Sequence, residues 1–454
     1  MTDAHPVSGE GDTAIPLGRR RGVLLFAFAI LATVTASAQD IERDPINYSA
    51  AKPRNAVSRL QERLASGKTT LDFEPEYGYL RSLLRALDIP ESSQVLVFSK
   101  TSLQRERISP KTPRAIYFND NVMVGFCLRG KVIEISAADE AVGTAFYTLE
   151  QRPDEKPDPQ RQTESCLLCH SSSANQGIPG HLVRSLYVDR QGNPLLARGT
   201  FRIDHASPLA ERWGGWYVTG TSGRQKHLGN KIYHDTTNPE DLGDDDGVNV
   251  VDLKDRLTIS LYPTSHSDIV ALMVLEHQTG MLNRLARAGT ETRMALHGEH
   301  EINKALGRPA DERSDGARSR IRNVGEAVVQ YMLLRDEIRL TDRIEGTSSF
   351  ASDFVSRGPR DAKGRSLRDL DLKTRLFRYP CSYLIYSRAF DSLPDEVKEY
   401  IYTRLWSILN GWSAGKDDLK PAAEDREAIL EILRETKPDL PDQWKATTRE
   451  PASP

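Results

Sequence analysis

The residues with the clearest capacity for chemistry are Cys166-Leu167-Leu168-Cys169-His170. Two thiols three positions apart, followed at once by an imidazole, fit covalent attachment of a c-type haem. Each thiol can add to one vinyl group, and His170 then lies beneath the iron as its proximal ligand. Other chemistries compete for the same residues. A zinc site needs further Cys or His at suitable spacing, and the chain holds no second CxxC. A thioredoxin-like pair wants a βαβ setting and gives the histidine no task.

An iron so held can take a sixth ligand. Ser267 to Arg287 has an N-cap signal in Ser267 and Asp268. Met273, His277 and Met281 then recur every four residues, which places them on one helix face. His277, then Met281, are the first candidates for that ligand, because c-type iron takes either type. The bland reading is a core stripe with a hydrogen-bonded histidine inside it. His205, His227, His234, His266 and Met123 are rivals, and an open sixth position is the remaining alternative.

The other chemistry-bearing stretches are weaker. Asp244-Asp245-Asp246-Gly247, within Glu240 to Asn249, has oxygen ligands for calcium but not EF-hand spacing, so a solvated acidic loop is expected. Cys127 and Cys381 lie in apolar runs. They are expected as buried thiols, with a disulfide as the alternative. Arg212 to Gly220 sets glycines beside Trp213, Trp216 and Tyr217. That pattern suits a haem-pocket wall, or a strand packing its rings into the core. There is no G-x-S-x-G elbow, P-loop or HExxH.

Composition narrows the class. The chain has 454 residues, 38% hydrophobic and 28% charged, with a formal net charge of −3. That suits a globular protein with a sizeable core and argues against nucleic acid as a partner. Arg19 to Arg21, the apolar run Gly22 to Val34 and Ala36-Ser37-Ala38 read as a signal peptide over 1–38, with a mature start at Gln39. The apolar run is short for a membrane span, so cleavage is expected over an uncleaved anchor, and no transmembrane span is expected after it.

The elements that must position the site change character along the chain. Helical spacing is expected over Arg54 to Ser66 and Tyr77 to Leu87. From Gln94 to Gln151 short apolar runs alternate with turn signals, which predicts an antiparallel meander. Gln151 to Gln162 reads as an exposed connection, and Ser185 to Ile203 as a hairpin. Beyond Ser267 the pattern is helical, with helices through Ile321 to Ile338, to about Leu409 after Pro394, and over Glu424 to Glu435.

Several longer stretches carry a resemblance. Thr112 to Asp120, Arg212 to Gly220, Ser267 to Gln278 and Gly358-Pro359-Arg360-Asp361 through Tyr379-Pro380-Cys381-Ser382-Tyr383 together resemble a family of large exported bacterial proteins carrying one cytochrome c motif. The resemblance covers residues 50 to 435. It implies haem binding and electron transfer, with a redox partner protein of unstated identity and no substrate. It also implies haem attachment outside the cytoplasm, and so general secretion rather than the twin-arginine route that Arg19 to Arg21 suggest. In small cytochromes c a proline carbonyl after the motif accepts the proximal histidine's Nδ1–H, and Pro179 is similarly placed. The chain is far longer than those proteins and carries β-structure they lack.

The expectation is therefore an α+β protein, periplasmic or otherwise exported. A β-rich haem-attachment region spans 39–260, a helical region closing the pocket spans 261–440, and a disordered tail spans 441–454. One covalent haem c sits on Cys166, Cys169 and His170 for electron transfer. The alternative is a haem enzyme of peroxidase type, with an open distal position and an acid/base such as His277 or Glu276.

Overall fold

A computed structural model of the chain describes residues 41–172, 175–233, 247–412 and 421–445. The expected signal peptide, His234, most of the acidic loop and the last residues of the tail lie outside them.

Two short helices come first, α1 (Ala56–Ala65) and α2 (Leu80–Ala86). Asn55 starts α1 as N-cap, its side chain accepting from the backbone of Val57 and Ser58. The meander follows as β1 (Val95–Val97), β2 (Arg114–Phe118), β3 (Val122–Phe126), β4 (Val132–Asp139) and β5 (Gly143–Glu150). Its turns are built by short polar side chains. The Asn119 amide oxygen accepts from the backbone N–H of Asn121 and Val122, closing β2 to β3. Asp139 does the same for Ala141 and Val142 between β4 and β5. Its second oxygen accepts from Asn55, which ties this turn to the start of α1.

Two further strands enlarge the sheet. Part of the connection read as exposed pairs with β5 as β6 (Gln160–Gln162). After α3 (Leu167–His170) and the hairpin of β7 (Arg184–Leu186) and β8 (Thr200–Arg202), the strand β9 (Trp216–Tyr217) returns to pair with β1. The result is a seven-stranded antiparallel sheet in the order β6-β5-β4-β3-β2-β1-β9.

The period-2 alternation divides its residues between two cores. Leu96, Tyr117, Val124, Ile135 and Tyr147 pack with α1 and α2 on one face. Val95, Val97, Phe118 and Trp216 join the core of the helical half on the other. The centre of that half is α4 (Ile269–Leu306), capped by Asp268. It is buried almost all round from Ile269 to Leu282, as a helix inside a core must be. It continues well past Arg287, where the apolar stripe thins, because its outer turns pack along α5 (Asp315–Met332). The helices α6 (Asp395–Leu409) and α7 (Ala423–Thr436) complete the layer. The class is α+β, with the sheet in the N-terminal half and the helices in the C-terminal half. No helix among the described residues is long and apolar enough to cross a membrane.

Candidate functional site

Cys166, Cys169 and His170 lie at a cavity of about 630 Å³ between the sheet and α4. Its floor is the face of β2–β5 turned away from α1 and α2. Cross-strand register sets Ile116, Gly125, Glu134 and Thr148 in one row, and Met123, Ser136 and Phe146 in the next. Leu275 and Thr279 of α4 close the opposite side.

The helix that carries the motif is a single turn, and what holds it lies elsewhere. The Gly180 N–H donates to the His170 carbonyl at 3.0 Å, and His170 Nδ1 meets the Gly180 carbonyl at 2.8 Å. A carbonyl only accepts, so Nδ1 carries the proton and Nε2 keeps the free lone pair. The expected carbonyl acceptor is thus present, but it is Gly180 and not Pro179. The loop is fixed from α4, where the Asn283 amide both accepts from the His181 N–H and donates to the His181 carbonyl, each at 2.8 Å. A Cβ on Gly180 would stand 2.5 Å from the Asn283 oxygen, so this close approach requires glycine. The Phe146 ring packs on His170 with centroids 4.7 Å apart. Burial lowers the His170 pKa, which keeps the ring neutral and able to ligate.

The thiols differ in setting. Cys169 is exposed at the mouth, beside Leu168 at 81% exposure, whereas Cys166 is half-buried. Burial raises the Cys166 pKa. That is opposite to the depressed value a CxxC oxidoreductase needs in its attacking thiol. Among the described residues no group of three or more His, Cys, Asp or Glu is placed to hold a metal ion. A haem iron draws only axial ligands from the protein.

Charge in the cavity is mostly positive. Lys100, Arg105, Arg114 and Arg184 line it, with Glu134 the carboxylate among them. Arg114 lies over Gly125, where a Cβ would come within 2.6 Å of its Nε, and pairs with Glu134 at 3.3 Å. That Nε is buried and has no hydrogen-bond partner. The residues therefore fit a haem: a pinned imidazole, two thiols at the mouth, an aromatic and apolar wall, and cations for two propionates.

The predicted sixth ligands are not brought here. Leu275 and Thr279 face the cavity, and His277 sits about 200° around the helix from Leu275. It is fully buried, with Nδ1 3.1 Å from His205 Nδ1 and Nε2 2.8 Å from the Ser382 hydroxyl. Met281 is buried in the helical core and does not line the cavity either. Glu276 is paired with Arg212 at 2.9 Å in the interior, so it is no distal acid for this cavity. Burial raises its pKa to about 7, against the opposing pull of Arg212. Of the other rivals, His205 joins His277, His227 meets the Trp213 ring, and His266 bonds Thr347. Only Met123 reaches the cavity among the rivals described.

The structure adds His181, which also lines the cavity and was absent from the sequence candidates. The signal available for it was its place one residue after the glycine that anchors His170. The polar side chains of Glu134 and Ser136, alternating with buried Ile133 and Ile135, marked a second lined face on β4. Trp216 is cavity wall, while Trp213 is core. Cys127 and Cys381 are separate buried thiols, each pushed up to about 12 by burial.

Comparison with known proteins adds no identity: no family model, curated protein or solved structure matches this chain.

Proposed function

We propose that this chain is an exported c-type cytochrome that carries one covalent haem and transfers electrons. The observation that carries the reading is the CxxCH turn at the mouth of a 630 Å³ cavity, with His170 Nδ1 engaged by Gly180 and Nε2 free. Cys166 and Cys169 would hold the haem, and His170 Nε2 would ligate its iron. Bound there, the group would supply a one-electron iron couple. The Gly180 carbonyl fixes the plane of the imidazole and raises its basicity. Arg114, with its unpartnered Nε, and Arg184 suit the propionates. Met123 is the candidate sixth ligand in this cavity. Leu168 and Cys169 are exposed at the mouth of the cavity, so a haem held on these thiols would be accessible to a redox partner. Residues 1–38 support an exported, periplasmic site of action.

A haem enzyme of peroxidase type is the second reading. It is favoured by a further cavity that shares a wall with the first. The test is an absorption spectrum of protein made in a host with c-type maturation, before and after carbon monoxide is added to the reduced form. Haem that survives denaturation on the chain, with a low-spin spectrum indifferent to carbon monoxide, is expected. Absence of covalent haem would refute the proposal, and ready carbon monoxide binding would select the enzyme.

A further inference from the structure

The further cavity, about 430 Å³, lies between the loop after α3, the strand β8 and the helices α4 and α5. That volume is within the range of small-molecule sites. His181, Leu182, Val183 and Thr279 line both cavities and form the partition.

Its lining is divided by chemistry. On one side stand Arg202, Arg284 and Arg287, with Asp204 the carboxylate among them. Arg284 reaches Asp204 at 3.8 Å and lies over the Tyr331 ring at 3.7 Å, while Arg287 pairs with Glu291. Arg202, an exposed residue at the end of β8, has no carboxylate within ion-pair distance among the described residues, and its side chain's one hydrogen bond is a long 3.4 Å contact to Asn175. Burial and the neighbouring Arg284 both depress its pKa. On the other side Leu182, Val183, Ile203, Val324 and Ala327 make an apolar wall. In the partition, His181 Nε2 and Thr279 Oγ1 are buried polar atoms without hydrogen-bond partners, on residues 3% and 4% exposed. Buried donors and acceptors left open in this way mark a place where a partner is missing.

We infer that this second cavity binds a small organic carboxylate, its head group held by Arg202, Arg284 and Arg287 and its short apolar body laid against Val183, Ile203 and Val324. The fork of an arginine matches a carboxylate. An inorganic oxyanion would satisfy the cations but leave the apolar wall wet. The partition sets such a ligand one side-chain layer from the first cavity. The inference stands on this cavity's own lining, whatever occupies Cys166 and Cys169.

The test is isothermal titration of the purified protein with hexanoate, acetate and inorganic phosphate, each against sodium chloride at equal ionic strength. Hexanoate is expected to bind most tightly. Arg202→Gln and Arg287→Gln are each expected to weaken it roughly tenfold, the scale of one charge-assisted hydrogen bond. Arg202 is at the mouth on a short strand, and unchanged circular dichroism will establish that its variant folds. Three outcomes overturn the inference: no hexanoate binding above chloride, tighter binding of phosphate than of hexanoate, or unchanged hexanoate affinity in folded Arg202→Gln.

Discussion

The buried pair His205 and His277 makes a prediction whose size follows from the structure. Nε2 of His205 is 3.2 Å from the Arg335 carbonyl, which only accepts, so His205 holds its proton there and offers Nδ1 as acceptor. His277 must then donate from Nδ1 and accept from Ser382 at Nε2. A further proton on His205 would set two N–H groups against each other. Burial accordingly lowers His205 from 6.5 to about 4, and burial also holds His277 well below the usual histidine range. Between 6.5 and about 4 the unfolded chain binds a proton that the folded chain refuses, so the His205 contribution is full above pH 6.5 and is lost as pH drops towards 4. From pH 7.5 to pH 5 the His205 contribution is a loss of about 2 kcal/mol. Glu276 and Glu337 act in the opposite direction. Burial raises both from 4.5 to about 7, so they take up protons first in the folded chain and stabilise it on acidification. The whole stability curve therefore mixes signs, and a difference isolates the histidine. His205→Gln keeps an amide that can accept from His277 and donate to Arg335 but cannot titrate. Urea unfolding of both proteins at pH 7.5 and pH 5 should show the wild-type advantage shrinking by about 2 kcal/mol. Parallel curves would refute a neutral, buried His205.

Three further outcomes are expected. Arg212→Leu should cost about 3–5 kcal/mol in urea unfolding at pH 8, because it strands Glu276 in an interior where both groups are at most 2% exposed. Gly180→Ala should cost about 1–3 kcal/mol, since the new Cβ meets Asn283 and Asn175. It should also disturb the visible spectrum, because the carbonyl that orients His170 must move. Met123→Ala should change the spectrum of the reduced protein and open it to carbon monoxide, whereas His277→Ala should lower the melting temperature and leave the spectrum alone; the reverse pattern would return the sixth ligand to α4.

Much of the architecture was legible because it depends on near neighbours. The meander from Val95 to Glu150 was legible from its short apolar runs and the turn at Asn119 to Asn121, and α1 from Val57, Leu60 and Leu64 on one face. The parts that escaped depend on distant partners. Gln160 to Gln162 has no apolar signal, and becomes a strand because β5 presents an open edge. The stretch Arg212 to Gly220 left a strand and a pocket wall both open; Trp216 and Tyr217 form the strand because β1 lies beside them, and Trp216 also lines the cavity. The reach of α4 to Leu306 had no signal to mark it, because its last turns are stabilised along α5 and not by an apolar stripe of their own.

For the candidate site the division is similar. The spacing of Cys166, Cys169 and His170 is covalent, so the sequence alone determines that two thiols and an imidazole share one turn. It also determines which residues of β2 to β5 share a face, because alternation is a property of the strand itself. What it leaves open is which side of α4 meets that face. A helix that is buried all round, with polar residues such as Glu276 to Thr279 spread around it, carries no mark of its contact side, so the Met273-His277-Met281 stripe was as credible a lining as Leu275 and Thr279. Only the tertiary packing decided this, by burying His277 against His205 and Ser382. The same packing chose Gly180 over Pro179 as the acceptor for His170, through an asparagine more than a hundred residues away in the chain.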